Sequence, residues 1–172
     1  MNPLLRSRAL LLSLGLASQV ALAQAPAPVT AVGAWARASV QGQRSSGAFM
    51  TLTASEPLTL VGVATPVAGL AQVHAMKMEG DVMRMHAVPA LELPARQPVQ
   101  LRPGGYHVML QDLKAPLRLD TSIPLTLTFR TAAGEQRQLA LQVPVSTAAP
   151  KDAGATTTHG MDGMEGMHGM HK

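Results

Sequence analysis

Hydrophobic and polar residues alternate along the chain from Val29 to Val145, in short runs that glycine, proline and acidic residues separate. Alternation with a period of two places successive side chains on opposite faces of a β-strand. No run keeps the 3.6-residue period of a helix over four turns, so the pattern predicts an all-β domain. Seven or eight such strands are typical of a β-sandwich or a barrel. The predicted strands are Ala48–Thr53 (the weakest), Leu58–Ala64, Val73–Met78, Val82–Val88, Val99–Leu101, Tyr106–Leu110, Leu125–Phe129 and Leu139–Val145.

The first 23 residues differ from this pattern. They start with a basic segment that contains Arg6 and Arg8, continue as an apolar run and end in Ala21-Leu22-Ala23. This is the order of features in a secretory signal peptide. The apolar run is interrupted by polar residues and is too short for a membrane span. We therefore expect cleavage after Ala23, export to the periplasm and no membrane insertion of the mature protein, with the β domain at residues 24–147.

Composition narrows the chemistry that this domain can perform. The chain has no cysteine, so neither a disulfide framework, nor a thiolate metal site, nor a thiol nucleophile is available. Without the two arginines of the signal peptide, 12 basic residues face 10 acidic ones. The basic residues are scattered and lack the interleaved aromatic side chains of a nucleic-acid surface. No serine or carboxylate pair lies in a recognisable catalytic motif, and we expect neither a nucleic-acid-binding protein nor an enzyme.

Methionine and histidine are prominent in this chain, with eleven and six residues against only four aromatic ones. In the predicted strand Val73–Met78, alternation places His74, Met76 and Met78 on one face. A single methionine or histidine would ordinarily be a core or surface residue. Because three such residues share one face, this face is a candidate metal site if neighbouring strands add further donors.

The next strand, Val82–Val88, follows after a tight connection, so the two strands are predicted to form a hairpin. A two-residue turn at Glu79-Gly80 would set His74 opposite Met85, whereas a three-residue loop would set it opposite His86. Directly opposed residues have Cβ atoms about 4.5–5.5 Å apart, close enough for imidazole and thioether to meet on one ion. Both registers remain open at this stage.

A third segment adds two more donors of the same kind. In Tyr106–Leu110, His107 and Met109 share one face of a strand, and Gly104-Gly105 just before it would permit a sharp backbone turn. Two neutral imidazoles and two thioethers form a soft ligand set that favours Cu(I) over zinc, calcium and magnesium. Thioethers also form no disulfides, which suits an oxidising compartment.

Several further residues are assigned to packing or to the surface. We expect His86 at the surface. Four methionines could either pack around the site or ligate the ion, and packing is favoured for each. These are Met50, Met76, Met78 and Met83.

The four donors also carry a family resemblance. His74, ten residues, Met85, twenty-one residues, His107, one residue and Met109 have the spacing of the periplasmic copper chaperones called PCu(A)C, which the chain resembles from about Ala34 to Val145. The stretches that share this likeness are Val73–Met78, Val82–Met85, Leu101–Leu110 and Leu125–Phe129.

The resemblance implies a cupredoxin-like, Ig-like β-sandwich that binds Cu(I) through those two histidines and two methionines. It also implies copper delivery to an acceptor such as a cytochrome c oxidase subunit or a thioredoxin-like copper protein. Ala75 stands where many relatives have glutamate, a departure outside the ligand set. We expect a monomeric copper chaperone, with copper resistance or storage in the periplasm as the alternative.

The end of the chain, residues 148–172, forms a Gly/Met/His-rich tail whose composition predicts disorder. From His159 to His171 it repeats Gly-Met every three residues and includes two carboxylates, a composition typical of a metal-binding segment. With imidazole and carboxylate beside sulfur, it is predicted to take Cu(II) or Cu(I). Its candidate ligands are His159, Met161, Met164, Met167, His168, Met170 and His171.

Overall fold

A computed structural model describes residues 27–150, and every regular element in that range is a β-strand. No helix in the described range is long and apolar enough to cross a membrane. The strands are β1 (Val29–Arg37), β2 (Ser45–Ala54), β3 (Leu58–Ala64), β4 (Ala68–Glu79), β5 (Val82–Ala87), β6 (Leu91–Leu93), β7 (Pro98–Leu101), β8 (His107–Leu113), β9 (Ser122–Thr131) and β10 (Gln136–Ser146).

The strands are hydrogen-bonded in the order β5-β4-β8-β2-β1-β10-β9-β3-β6, and β7 pairs separately with β2. Strand β1 joins the two halves of this arrangement. It is antiparallel to β2 and parallel to β10, where Ala36 pairs with Val145. Buried side chains from both halves form one hydrophobic cluster, as expected when two layers of a sandwich pack face to face. The predicted all-β sandwich is confirmed.

Strand alternation supplies this core. In β9, Ile123, Leu125, Leu127 and Phe129 are buried, while the residues between them are more exposed. Burial of one such side chain is worth about 1.5–3 kcal/mol. The same alternation along β8 sends Leu110 inward with 0% exposure. A strand anchored in this way holds its opposite face in a fixed position.

The eight predicted strands all correspond to observed strands, but the expected total of seven or eight is wrong because β1 and β6 were not predicted. In β1, Gly33 has a φ of +61°. The register against β2 shifts between Val32 and Trp35, so the period of two is broken. Strand β6 has only three residues and lies in a short segment between Pro89 and Pro94, where the sequence pattern predicted no strand.

Two predictions concern residues outside the described range. The signal peptide at residues 1–23, with cleavage after Ala23, lies wholly outside it, and so does the tail from residue 151 onward. The boundaries proposed for the domain at residues 24–147 stay predictions.

Candidate metal centre

His74 and His107 form the centre of the candidate site. They are directly opposed in the antiparallel pairing of β4 with β8. Their ring centroids lie 6.0 Å apart with the ring planes tilted by 52°. Both residues are buried, with 9% and 7% of their surface exposed. The register of two central strands therefore brings together two imidazoles that are 33 positions apart in the chain.

His74 is an unusual buried polar residue. Among the described residues, neither of its ring nitrogens has a hydrogen-bond partner, although buried polar groups are nearly always paired and an unpaired one costs about 1–3 kcal/mol. Burial, and secondarily the charge of His107, lower the pKa of His74 below its ordinary value. The neutral imidazole, which is the form that binds a metal ion, is thereby favoured.

His107 is oriented by the backbone. Its Nδ1 lies 3.0 Å from the carbonyl oxygen of Gly105. Because a carbonyl oxygen can only accept, Nδ1 is the donor in this hydrogen bond and Nε2 keeps a free lone pair. Such a second contact commonly fixes the ring of a metal-binding histidine. The ring of Phe49, itself stacked on Trp35 with centroids 4.6 Å apart, lies 6.4 Å from the ring of His107.

Met85 reaches the site by a register that differs from the sequence prediction. The turn consists of Gly80-Asp81, so Met85 pairs with Met76, and His74 pairs with Ala87. Both registers considered from the sequence are therefore wrong, since His74 lies opposite neither Met85 nor His86. Gly80 has a φ of +61°, and a glycine with positive φ suits the first central position of a two-residue hairpin turn. Met85 shares the face of His74 but is diagonal to it, at a distance that a long side chain can span.

Met109 lies on the other side of the histidine pair. It pairs with Gln72 of β4 and with Gly47 of β2, and it is partly buried. Gly47 leaves room that the ring of Phe49 occupies, since a Cβ on Gly47 would lie 2.8 Å from Cζ of that ring. The absence of a side chain at residue 47 thus allows the aromatic ring to pack beside the donors.

An open cleft of about 300 Å³ connects three of the four predicted ligands with solvent. Met85, His107 and Met109 line it, together with Met76. His74 itself does not line the cleft, but its strand partner His107 does. The structure therefore brings the four predicted donors to one region, although their role as ligands stays a prediction.

Residues 29–145 match a protein family described as "Putative lipoprotein LpqE-like". The chain belongs to the LpqE-like family. A curated relative, "Putative lipoprotein Lxx21020" of Leifsonia xyli subsp. xyli, is 33% identical over 97 residues. That match covers 56% of this chain and 58% of the relative, so the chain spans somewhat more than half of the relative's length.

Solved structures similar to the LpqE-like chain include two proteins whose descriptions name copper. The copper-bound PCuAC domain from PmoF2 has a TM-score of 0.56 and 22% identity, over 72% of this chain and 97% of that domain. The Cu(I) form of DR1885 from Deinococcus radiodurans has a TM-score of 0.54 and 31% identity, over 76% and 85% of the two chains. The resemblance to PCu(A)C proteins is thus confirmed for the fold, while the spacing motif and its ligand roles are not tested by it.

The other methionines of the LpqE-like domain differ in their surroundings. Met50 is buried in the hydrophobic core with 3% exposure and does not line the cleft, whereas packing around the site was expected. Met78 and Met83 are 59% and 49% exposed, so the expectation that they pack around the site is wrong. His86 is exposed, as predicted, and its Nε2 lies 2.9 Å from Oε1 of Glu79.

Two residues beside the donors were not found by sequence reasoning. Phe49 and Arg37 line the cleft, and the Arg37 guanidinium lies over the Phe49 ring at 5.7 Å from its centroid. A cation over an aromatic face is attracted by the ring. Arg37 ends β1, which was not predicted as a strand, so the sequence offered no register that would place it here.

The seven candidate ligands of the tail lie outside the described residues. They are His159, Met161, Met164, Met167, His168, Met170 and His171.

Proposed function

We propose that this LpqE-like protein is a non-catalytic copper chaperone that binds Cu(I) through His74, Met85, His107 and Met109. The observation that carries the proposal is the buried, directly opposed pair of His74 and His107. The ring nitrogens of His74 have no partner within the described residues. A bound metal ion would give one of these two nitrogens the partner that no described protein group provides.

The donor set supports Cu(I) as the ion. Imidazole and thioether are soft, neutral donors that suit Cu(I), whereas calcium and magnesium require oxygen ligands. The site has no charged ligands and no thiolate. An acceptor with stronger donors can therefore replace its imidazole and thioether bonds to the ion. Copper is in this view the cargo, and the open cleft at Met85 is the side on which exchange occurs.

The comparisons support copper and an envelope location. The PmoF2 domain and DR1885 are described as copper-bound and Cu(I) forms, and both share this fold. The family and the curated relative carry the description "Putative lipoprotein", and lipoproteins are exported, as the predicted signal peptide implies for this chain. We propose that the protein acts in the periplasm as a monomer and that its acceptor is a cytochrome c oxidase copper centre or a thioredoxin-like copper protein.

Competition for Cu(I) against a chelator, without oxygen, tests the ligand set. His74→Ala and Met109→Ala should weaken binding, the histidine variant by about a hundredfold or more, since even loss of an outer-shell partner costs up to that much. His86→Ala is the matched control, because His86 is exposed and lies on the other face of the hairpin. Wild-type affinity in His74→Ala would refute the site.

Copper resistance or storage is the second candidate, and the Met/His-rich tail favours it. A deletion strain separates the two functions. Loss of oxidase activity at low copper indicates delivery, whereas copper sensitivity with normal oxidase activity indicates resistance.

The tail itself is proposed to bind Cu(II) or Cu(I) and to pass copper that is already in the Cu(I) state to the domain site. The linker between domain and tail, about a dozen residues from Ser146, gives a root-mean-square reach on the order of 20 Å. Removal of residues 156–172 should lower copper stoichiometry and transfer rate, and unchanged values for both would reject this role.

A further inference from the structure

The hairpin of β4 and β5 carries two pairs of methionines on one face. Met76 is directly opposed to Met85, and Met78 to Met83. Since residues two apart share a face, both pairs lie on the side of the hairpin that also carries His74. Two residues of a strand advance about 6.6–6.8 Å, so the pairs are successive steps from the turn toward the histidines.

These thioethers are open to solvent. Met78 is 59% exposed, Met83 49% and Met85 44%. Single exposed apolar side chains are ordinary. Here, however, four sulfur atoms follow one another along a path that ends in the cleft lined by Met76, Met85 and two other donors. Packing does not account for Met78 and Met83, because neither belongs to the buried core.

The charged residues of the hairpin lie on its other face. Glu79 contacts Nε of Arg84 at 3.1 Å and Nε2 of His86 at 2.9 Å. The methionine face contains no charged side chain between the turn and the histidine pair. An approaching monovalent cation would therefore meet only thioethers there, and no carboxylate would compete for it.

We propose that Met78 and Met83 form an outer Cu(I) docking site, from which the ion passes by way of Met76 and Met85 to the site in the cleft. This inference rests on the proposed function, because it takes Cu(I) as the cargo. Two thioethers bind Cu(I) less tightly than four donors do, so the outer site exchanges readily. Each step forms one Cu–S bond as another breaks, and copper stays in the +1 state with no proton transferred.

Methionine methyl resonances of the full chain, labelled with ¹³C and assigned by single Met→Leu variants, test the outer site directly. Cu(I) is supplied without oxygen as its acetonitrile complex. The first equivalent should shift the signals of Met85 and Met109, and further Cu(I) should shift those of Met78 and Met83 together and saturably. Stationary Met78 and Met83 signals beside shifted Met85 and Met109 signals would overturn the outer site alone. Stationary Met85 and Met109 signals would overturn the proposed function and, with it, the route.

Transfer kinetics test the route. The double variant Met78→Leu/Met83→Leu should keep the affinity of the four-donor site for the first equivalent of Cu(I) but slow transfer to a chelator about tenfold, a change of about 1.4 kcal/mol in the barrier. Val82→Leu is the control, since Val82 is exposed on the opposite face of the same hairpin. Equal transfer rates in the double variant and the wild type would overturn the proposal.

Discussion

The two strands that carry the candidate donors differ in how firmly the fold holds them. Strand β8 lies between β2 and β4, and its Val108 and Leu110 are fully buried. Strand β5 is at the edge, pairs only with β4, and every residue in it is exposed. His107 and Met109 therefore lie on a strand anchored in the core, while Met85 lies on a hairpin open to solvent. In the proposed function, β8 would orient two donors while the hairpin would admit and release the ion.

The largest loss of stability should come from a cavity under β8. Leu110→Ala removes a side chain with 0% exposure, and substitutions of this kind cost about 2–5 kcal/mol of unfolding free energy. The matched change on the hairpin, Val82→Ala at an exposed position, should stay within about 0.5 kcal/mol. Urea unfolding of both variants measures the contrast. Equal losses would show that the two strands are held alike.

A smaller loss of stability is expected from crowding the ring of Phe49, which packs beside His107. Gly47→Ala would place a Cβ 2.8 Å from the ring of Phe49, so this ring must shift from its contacts with Trp35 and His107. Overpacking of this kind costs about 1–3 kcal/mol, and Cu(I) affinity should fall as well.

Gly62→Ala in β3 is the control for that substitution, since its Cβ would make an ordinary contact of 3.5 Å with Thr128. Urea unfolding and chelator competition should leave this variant close to the wild type. Unchanged stability and affinity in Gly47→Ala would contradict the proposed role of the Phe49 ring.

The pH dependence of the metal-free protein probes the histidine pair. Because burial lowers the pKa of His74 in the folded state, the unfolded chain binds more protons below about pH 6.5. The free energy of unfolding should therefore fall as the pH drops through 6.5, and it should level off once the pH is below the lowered pKa of His74. His74→Gln should reduce this slope in urea unfolding at pH 7.5, 6.5 and 5.5. An equal slope in the variant would exclude His74 as its cause.

The smallest effect is expected at the outer face of the hairpin. Glu79→Gln weakens contacts with Arg84 and His86 whose side chains are about half exposed, and exposed ion pairs contribute about 0.2–1 kcal/mol. Thermal unfolding should shift little, as in the control Glu92→Gln on β6. A loss above about 2 kcal/mol would mean that ion pairs, rather than strand pairing, hold the hairpin.

Part of this architecture could be predicted from local patterns. Strand alternation located eight of the ten strands of the described range, and donor spacing selected four residues that the fold brings to one region. Strand β1 was missed because Gly33 and a register shift interrupt its alternation. The pairing of His74 with Met85 was wrong because the turn lies one residue further along than the glycine suggested.

The sequence by itself determined the all-β class, the soft chemistry of the donors and their placement on alternate faces, because each follows from residue type and a two-residue period. Only the tertiary structure decided that His74 opposes His107, that Met85 is diagonal to His74, and that Met78 and Met83 face solvent. Those features depend on which strands pair and in what register. Register is set by contacts between residues far apart in the chain, which no local pattern contains.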